Sequence, residues 1–418
     1  MSGTTPMTVA AGGSGDRTGF RFPARSTAGN IDGRSYADVA AAISALTPLV
    51  REQAARSDRD RTLNERVITA IVETGLFHLL RPRVDGVAPD LLGFFAGVRA
   101  LAAASPSIGW VTAMLGTASW HVMLLEPEAR HVIWGYSPDV LVSVSNAPAG
   151  RLEPVDGGYL LGGEWPNLPA IDHCRWAALA ALTIAAEGAP VSLATAVVPC
   201  KELVVGDHWN TTGMRGTGSR RVSAHQVFVP ASRVRTAPPR DRGTANENPP
   251  GRCPLAIVYS LAACMPVVGA VQGAFEDHLE RAGRRAAFSL AGARSVIDPA
   301  VQAAIARGLG EIDASILQLE RNSREAMAVV ASGTPVPAEL RLRTRRDQVR
   351  ATERALAALE SLMGCAGAEA VREGGSLERT WRDIRTAAAH LVNQAEPALR
   401  LYGQWAFGLD VHDDMVMV

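Results

Sequence analysis

His390 follows three alanines, Ala387-Ala388-Ala389. Small neighbours leave space beside an imidazole, which titrates near neutrality and can take a proton from a phenol or hold a reacting oxygen by a hydrogen bond. A satisfied core histidine fits the same pattern, and the ambiguity recurs at His121, next to Trp120. Arg285 and Phe288 stand about one helical turn apart. There a guanidinium can fork onto a phosphate while the ring packs on an aromatic system. An ordinary solvated face, shared with Arg281 and Arg284, is the plainer alternative. Arg215-Gly216-Thr217-Gly218-Ser219 offers either a concavity of backbone N–H groups for an anion or cofactor edge, or a tight turn between strands.

Other signatures are absent. The chain has no Walker loop, no HExxH and no GxSxG. Gly12-Gly13-Ser14-Gly15 has no strand before it and reads as linker. His412-Asp413-Asp414 has metal-ligand residue types but reads as solvated tail, so no metal is expected. The five cysteines (Cys174, Cys200, Cys253, Cys264, Cys365) lack CxxC spacing. Neither zinc nor a disulfide framework is expected, and a reducing cytoplasm fits best.

These residues need a scaffold. The chain has 418 residues, 47% hydrophobic and 20% charged, with 42 basic and 42 acidic side chains. That length suits two or three domains, and the composition excludes a mainly disordered chain. Lys201 is the only lysine, so the cations are otherwise arginine. Zero net charge gives no domain-wide basic surface for nucleic acid. No apolar run is expected to reach the roughly 18 residues of a membrane span, and Met1 to Asp16 lacks the features of a secretory signal.

Residues 1–34 read as a flexible leader. From Tyr36 onward, Val39, Ile43, Leu46, Leu49 and Val50 recur at helical steps. Further helices are expected over Leu63–Leu80 and Leu91–Ala104, with Ser105-Pro106-Ser107 as a stop and new N-cap. Ile108 to Trp134 is apolar enough to be buried. Short strands follow at Leu141–Ser145, Tyr159–Gly163, Trp176–Leu182, Leu193–Val198 and Val222–Val229, the second of them after an Asp156-Gly157-Gly158 turn. Helices return at about 254–290, 298–332, 337–366 and 378–405, with His390 on the last. The expected order is a helical domain (35–137), a β domain (138–233), a linker (234–252) and a four-helix bundle (253–418).

Trp209-Asn210-Thr211-Thr212-Gly213-Met214-Arg215-Gly216-Thr217-Gly218-Ser219, followed by Val227-Phe228-Val229-Pro230, resembles the β-domain signature of the acyl-CoA dehydrogenase superfamily. Ile108-Gly109-Trp110-Val111, Val142-Ser143-Val144-Ser145-Asn146-Ala147-Pro148 and Trp381-Arg382-Asp383 with His390 narrow the likeness. Together they are similar to the oxygenase components of two-component, group D flavin-dependent monooxygenases. The resemblance implies an α+β fold with a central β-barrel or sandwich between the helical parts. It also implies a homotetramer that takes reduced FMN or FAD, not covalently bound, from a separate flavin reductase. Dioxygen would add at flavin C4a, and the hydroperoxide would hydroxylate a small aromatic or polycyclic substrate, a natural product for instance. By the same likeness Trp110, Ser143, Ser145 and Trp209 line the flavin ring. Arg285 and Phe288 reach a phosphate from a neighbouring subunit. His390 is catalytic and His121 faces the substrate; Leu168, apolar and near these motifs, is a further candidate for the substrate pocket.

Departures from the pattern bear on cofactor binding. After Trp165 the relatives usually carry Ser and small residues, whereas this chain reads Pro166-Asn167-Leu168-Pro169-Ala170. Glu369-Ala370 replaces a Gln-Gly or Arg-Gly contact, and Ala387 stands where some relatives have a second His. Two lost neutral hydrogen bonds would weaken flavin binding roughly 5- to 150-fold. A flavin-independent enzyme such as a cyclase, or a ligand-binding protein, on the same fold is therefore the alternative, with no cofactor. Amino-sugar N-oxygenation and acyl-CoA dehydrogenation fit less well, the latter because Ala389-His390-Leu391 offers no Glu where that chemistry uses one.

Overall fold

In a computed structural model of the chain, the described residues are 36–81, 89–184, 192–206, 209–236, 253–288 and 298–411. The leader, most of the linker and His412-Asp413-Asp414 lie outside them. Helix α1 (Tyr36–Asp60) buries Val39, Ile43, Leu46 and Val50. The helix expected over Leu63–Leu80 is two pieces. Its first part, α2 (Glu65–Glu73), is capped by the Asn64 side chain accepting from Arg66 N–H. Gly75 then turns left-handed (φ 78°) and a 3-10 turn covers Leu76–Leu80, a reversal that glycine permits without steric cost. Asp90 caps α3 (Leu91–Ala104), and Pro106 opens α4 (Pro106–Met123), all of whose residues are buried. Pro127–Trp134 forms α5.

Seven strands form one mixed sheet among the described residues: β1 (Val142–Val155), β2 (Gly158–Leu168), β3 (Trp176–Thr183), β4 (Leu193–Pro199), β5 (Val204–Val205), β6 (Arg220–Pro230) and β7 (Val234–Thr236). Their order is β5-β6-β2-β1-β3-β4-β7, with β1 and β3 parallel and the other pairs antiparallel. Leu152, Leu161, Trp165, Leu179, Val198 and Val229 from five strands share one core, so the sheet curls over its own apolar face. β7 occupies residues expected to begin the linker, because Val234, Arg235 and Thr236 pair with β4.

The C-terminal part comprises α6 (Leu255–Phe288), α7 (Pro299–Ala331), α8 (Ala338–Cys365), α9 (Ser376–Ala388) and α10 (Ala395–Ala406). By length and composition α6 could cross a membrane, contrary to the expectation that no segment is so apolar. Its apolarity serves the core instead, since 78% of the window is buried within the fold. The expected last helix is broken after Ala388. Asn393 carries the break: its Nδ2 donates to the carbonyls of Ala387 (2.9 Å) and Ala263 (3.4 Å), and its Oδ1 accepts from Gln348 (2.6 Å).

Candidate active site

Trp110 and His121 lie eleven positions apart on α4, about three full turns, and therefore share one face of the helix. That face meets β1 where the strand leaves register with β3, between Ser145 and Gly150. Pro148 in this bulge has no N–H to offer a ladder. Asn146, released from the ladder, hydrogen-bonds His121 Nε2 through Oδ1 at 2.8 Å. The Asn146 side chain also acts on Tyr259 of α6, lowering its pKa against the effect of burial.

Tyr259 in turn sets its ring edge-on to His390, with centroids 6.3 Å apart. The His390 ring is also tilted against Trp110, with centroids 5.5 Å apart. The cluster thus joins α4, β1, α6 and the end of α9.

Protonation follows from burial and partners. Burial lowers the His121 pKa to about 4, outweighing the Asn146 hydrogen bond that raises it. His121 is neutral near pH 7 and gives Nε2–H to the Asn146 side-chain carbonyl. Burial pushes the Tyr259 pKa up, so its hydroxyl keeps its proton. Contrary to the expectation that it sits on the last helix, His390 caps the 3-10 turn that follows Ala389. Its Nδ1 accepts from Val392 N–H at 3.3 Å. Burial, and then the charge of Arg345, lower its pKa. The neutral ring therefore carries its proton on Nε2 and offers a donor there.

The other expected residues divide. Ser143 is fully buried and donates to the Pro169 carbonyl at 2.7 Å, so its proton is spent inside the protein. Ser145, two residues along the same face of β1, is 8% exposed. Trp209 is half-buried, and its Nε1–H donates to Met214 O at 2.9 Å. Leu168 does not join the cluster: it points into the sheet's own core with Trp165 and Ile171. Arg285 is exposed on α6, 26 residues beyond Tyr259 or about 39 Å along the helix, so it cannot serve this cluster in its own chain. The Phe288 and Glu369 side chains lie outside the described residues. Arg215–Thr217 is a 3-10 turn whose Gly216, Thr217 and Gly218 are buried, the tight-turn reading rather than an open anion concavity.

Three residues of the cluster escaped the sequence reading. Asn146 lies within a quoted motif but was not singled out. Tyr259 is one of five tyrosines and had no neighbouring signal. Arg345 sits in an arginine-rich stretch, yet it is 3% exposed and its Nη1 bonds Gln348 Oε1 and Val392 O, bracing the turn that holds His390.

A family pattern described as "Acyl-CoA dehydrogenase, C-terminal domain" matches residues 261–395. The chain is 37% identical over 383 residues to the flavin-dependent monooxygenase oxygenase subunit HsaA of Rhodococcus jostii (strain RHA1), covering 90% of this chain and 99% of that one. The solved structure of the 3-HSA hydroxylase from Rhodococcus sp. RHA1 superposes with a TM-score of 0.84 at 36% identity, over 90% of this chain and 98% of that one. XiaF from Streptomyces sp., solved with FADH2 and glycerol, gives 0.82 at 28% identity, over 90% and 96%.

Proposed function

Since the chain belongs to the oxygenase subunits of the flavin-dependent monooxygenases, we propose that it hydroxylates a phenolic or polycyclic aromatic substrate with reduced FMN or FAD delivered by a separate flavin reductase. The residues present fit such a group. Ser145 is nearly buried yet makes no side-chain hydrogen bond among the described residues, and the same holds for the Trp110 indole N–H. Two unspent donors, one of them on an aromatic ring packed against His390, suit the polar edge of a planar heterocycle. Bound there, reduced flavin supplies activation of dioxygen and delivery of one oxygen atom, the other leaving as water.

The chain's own residues do the rest. Trp110 and Trp209 would flank the ring, and Ser145 would donate to it. His390 offers Nε2–H to an oxygen of the substrate or of the oxidant, which favours the oxygen-holding role over that of a base. Base action would require the other tautomer and loss of the Val392 N–H bond. Tyr259, whose ring packs edge-on to His390 and whose hydroxyl keeps its proton, would orient a phenolic oxygen. The buried Trp110 ring and the partly buried Tyr259 ring beside His390 would limit water at the reacting oxygen. A neighbouring subunit of a homotetramer would bring Arg285 and Phe288 to the phosphate end.

The observation that carries this reading is the packing of His390 against both Trp110 and Tyr259. Anaerobic titration with reduced FMN and FAD tests it, followed by oxygen and a panel of phenols and polycyclic aromatics. Saturable binding and a product heavier by one oxygen are expected. Absence of binding at high micromolar flavin would favour a flavin-independent activity.

A further inference from the structure

The loop that carries Trp209 is not held by the sheet. It runs between α1, α4 and α9, and its fixed point is Met214, which adopts a left-handed conformation (φ 54°) rare for a residue with a side chain. Two bonds tie Trp209: Arg61 Nη1 donates to its carbonyl at 2.8 Å, and its indole N–H donates to Met214 O, so Met214 is what fixes the ring itself. Asp383 on α9 accepts Met214 N–H at Oδ1, 2.6 Å away, and Ser107 at the start of α4 lies 3.3 Å from Oδ2. Next door, Gly213 packs so closely on the Arg382 backbone that an added Cβ would sit 2.1 Å from Arg382 O. Arg382 itself donates to Thr212 O at 2.8 Å and pairs with Asp58 of α1 at 3.3 Å.

We infer that Asp383 is a positioning residue: its carboxyl group holds Met214 in the left-handed turn and thereby sets the Trp209 indole relative to α9, the helix that ends two residues before His390. Its role toward the cofactor rests on the proposed placement of Trp209 against flavin. Asp383 is 1% exposed, and burial raises its pKa to about 7, with Asp58 also raising it and Met214 N–H, Arg382 and Arg379 lowering it. Both protonation states fit the geometry. The anion accepts from Ser107; the acid donates to Ser107 Oγ, whose own hydrogen then turns to Met214 Sδ at 3.8 Å. Asparagine reproduces the second arrangement, with Oδ1 accepting and Nδ2 donating.

The test compares Asp383→Ala and Asp383→Asn by hydrogen exchange in the flavin-free protein and by reduced-FMN titration. In Asp383→Ala, exchange over residues 209–219 should rise about tenfold, the scale of one lost buried hydrogen bond, while residues 176–183 stay unchanged. Reduced-FMN affinity should fall by a similar factor. Asp383→Asn should remain near wild type in both, a rescue that a merely space-filling role would not show. Unchanged exchange at 209–219 in the Ala variant, or an Asn variant as loose as Ala, overturns the inference. Loosened exchange with unaltered flavin affinity supports the anchor and counts instead against Trp209 as a flavin contact. Should the Ala variant not fold, the wild type decides: a Met214 amide exchanging as fast as that of Asn210 overturns the anchor.

Discussion

The rings of Trp110 and His390, 280 positions apart in the chain, meet at 5.5 Å with an interplanar angle of 56°. One belongs to a helix before the sheet and the other to a break between the last two helices of the bundle. Their contact makes the site a product of the whole fold.

If His390 holds an oxygen through Nε2–H, removing the ring should lower turnover and spare flavin binding. His390→Ala is expected to reduce kcat roughly 100-fold, within the usual range for a positioned acid–base group. Reduced-flavin affinity should stay within about threefold. Rapid-mixing kinetics and anaerobic titration measure the two separately. Equal losses in both would refute the assignment.

His121 gives the protein an acid-side weakness. Its folded pKa is depressed from 6.5 to about 4, so between these values the unfolded chain binds more protons. Stability is full above about pH 6.5 and falls as pH drops toward 4, by as much as about 3 kcal/mol from this group. His121→Gln, which keeps a donor for Asn146 Oδ1, should flatten that limb in chemical denaturation measured at several pH values.

Asp383 acts with the opposite sign. Its folded pKa is raised from 3.8 to about 7, so the native state binds the extra proton in that window. Its contribution to stability therefore declines as pH rises from about 4 to 7, by at most about 1.4 kcal/mol per pH unit, and is level beyond. Asp383→Asn removes the slope, so its stability relative to wild type should increase with pH across this range. A constant difference between the two proteins from pH 4 to 8 would show that the carboxyl group does not titrate there.

Leu168 separates packing from recognition. It is fully buried in the core of the sheet, so Leu168→Ala should cost about 2–5 kcal/mol of stability. Substrate preference, measured as relative kcat/KM across a phenol panel below the melting transition, should not move. A changed preference would return Leu168 to the substrate site.

Element types were legible in the sequence because burial leaves a periodic trace. Val39, Ile43, Leu46 and Val50 mark α1 by their spacing, and Val222 to Val229 marks β6. The misreadings fall where a local signal competes with a contact from far along the chain. Asn146-Ala147-Pro148 reads as the end of a strand, yet β1 resumes because β2 pairs with its second half from Gly150 onward. The helix expected to run through His390 breaks because Asn393 finds carbonyl and amide partners on α6, α8 and α9.

By itself the sequence determined the fold class, the family and the residue types available for chemistry, since hydrophobic period, turn residues and motif identity are local properties of the chain. Which nitrogen of His390 keeps the proton, that Tyr259 and Asn146 complete the cluster, and that Leu168 stays out of it were decided only in three dimensions. Hydrogen-bond partners and burial depend on groups tens to hundreds of residues away, and these set tautomer, pKa and access.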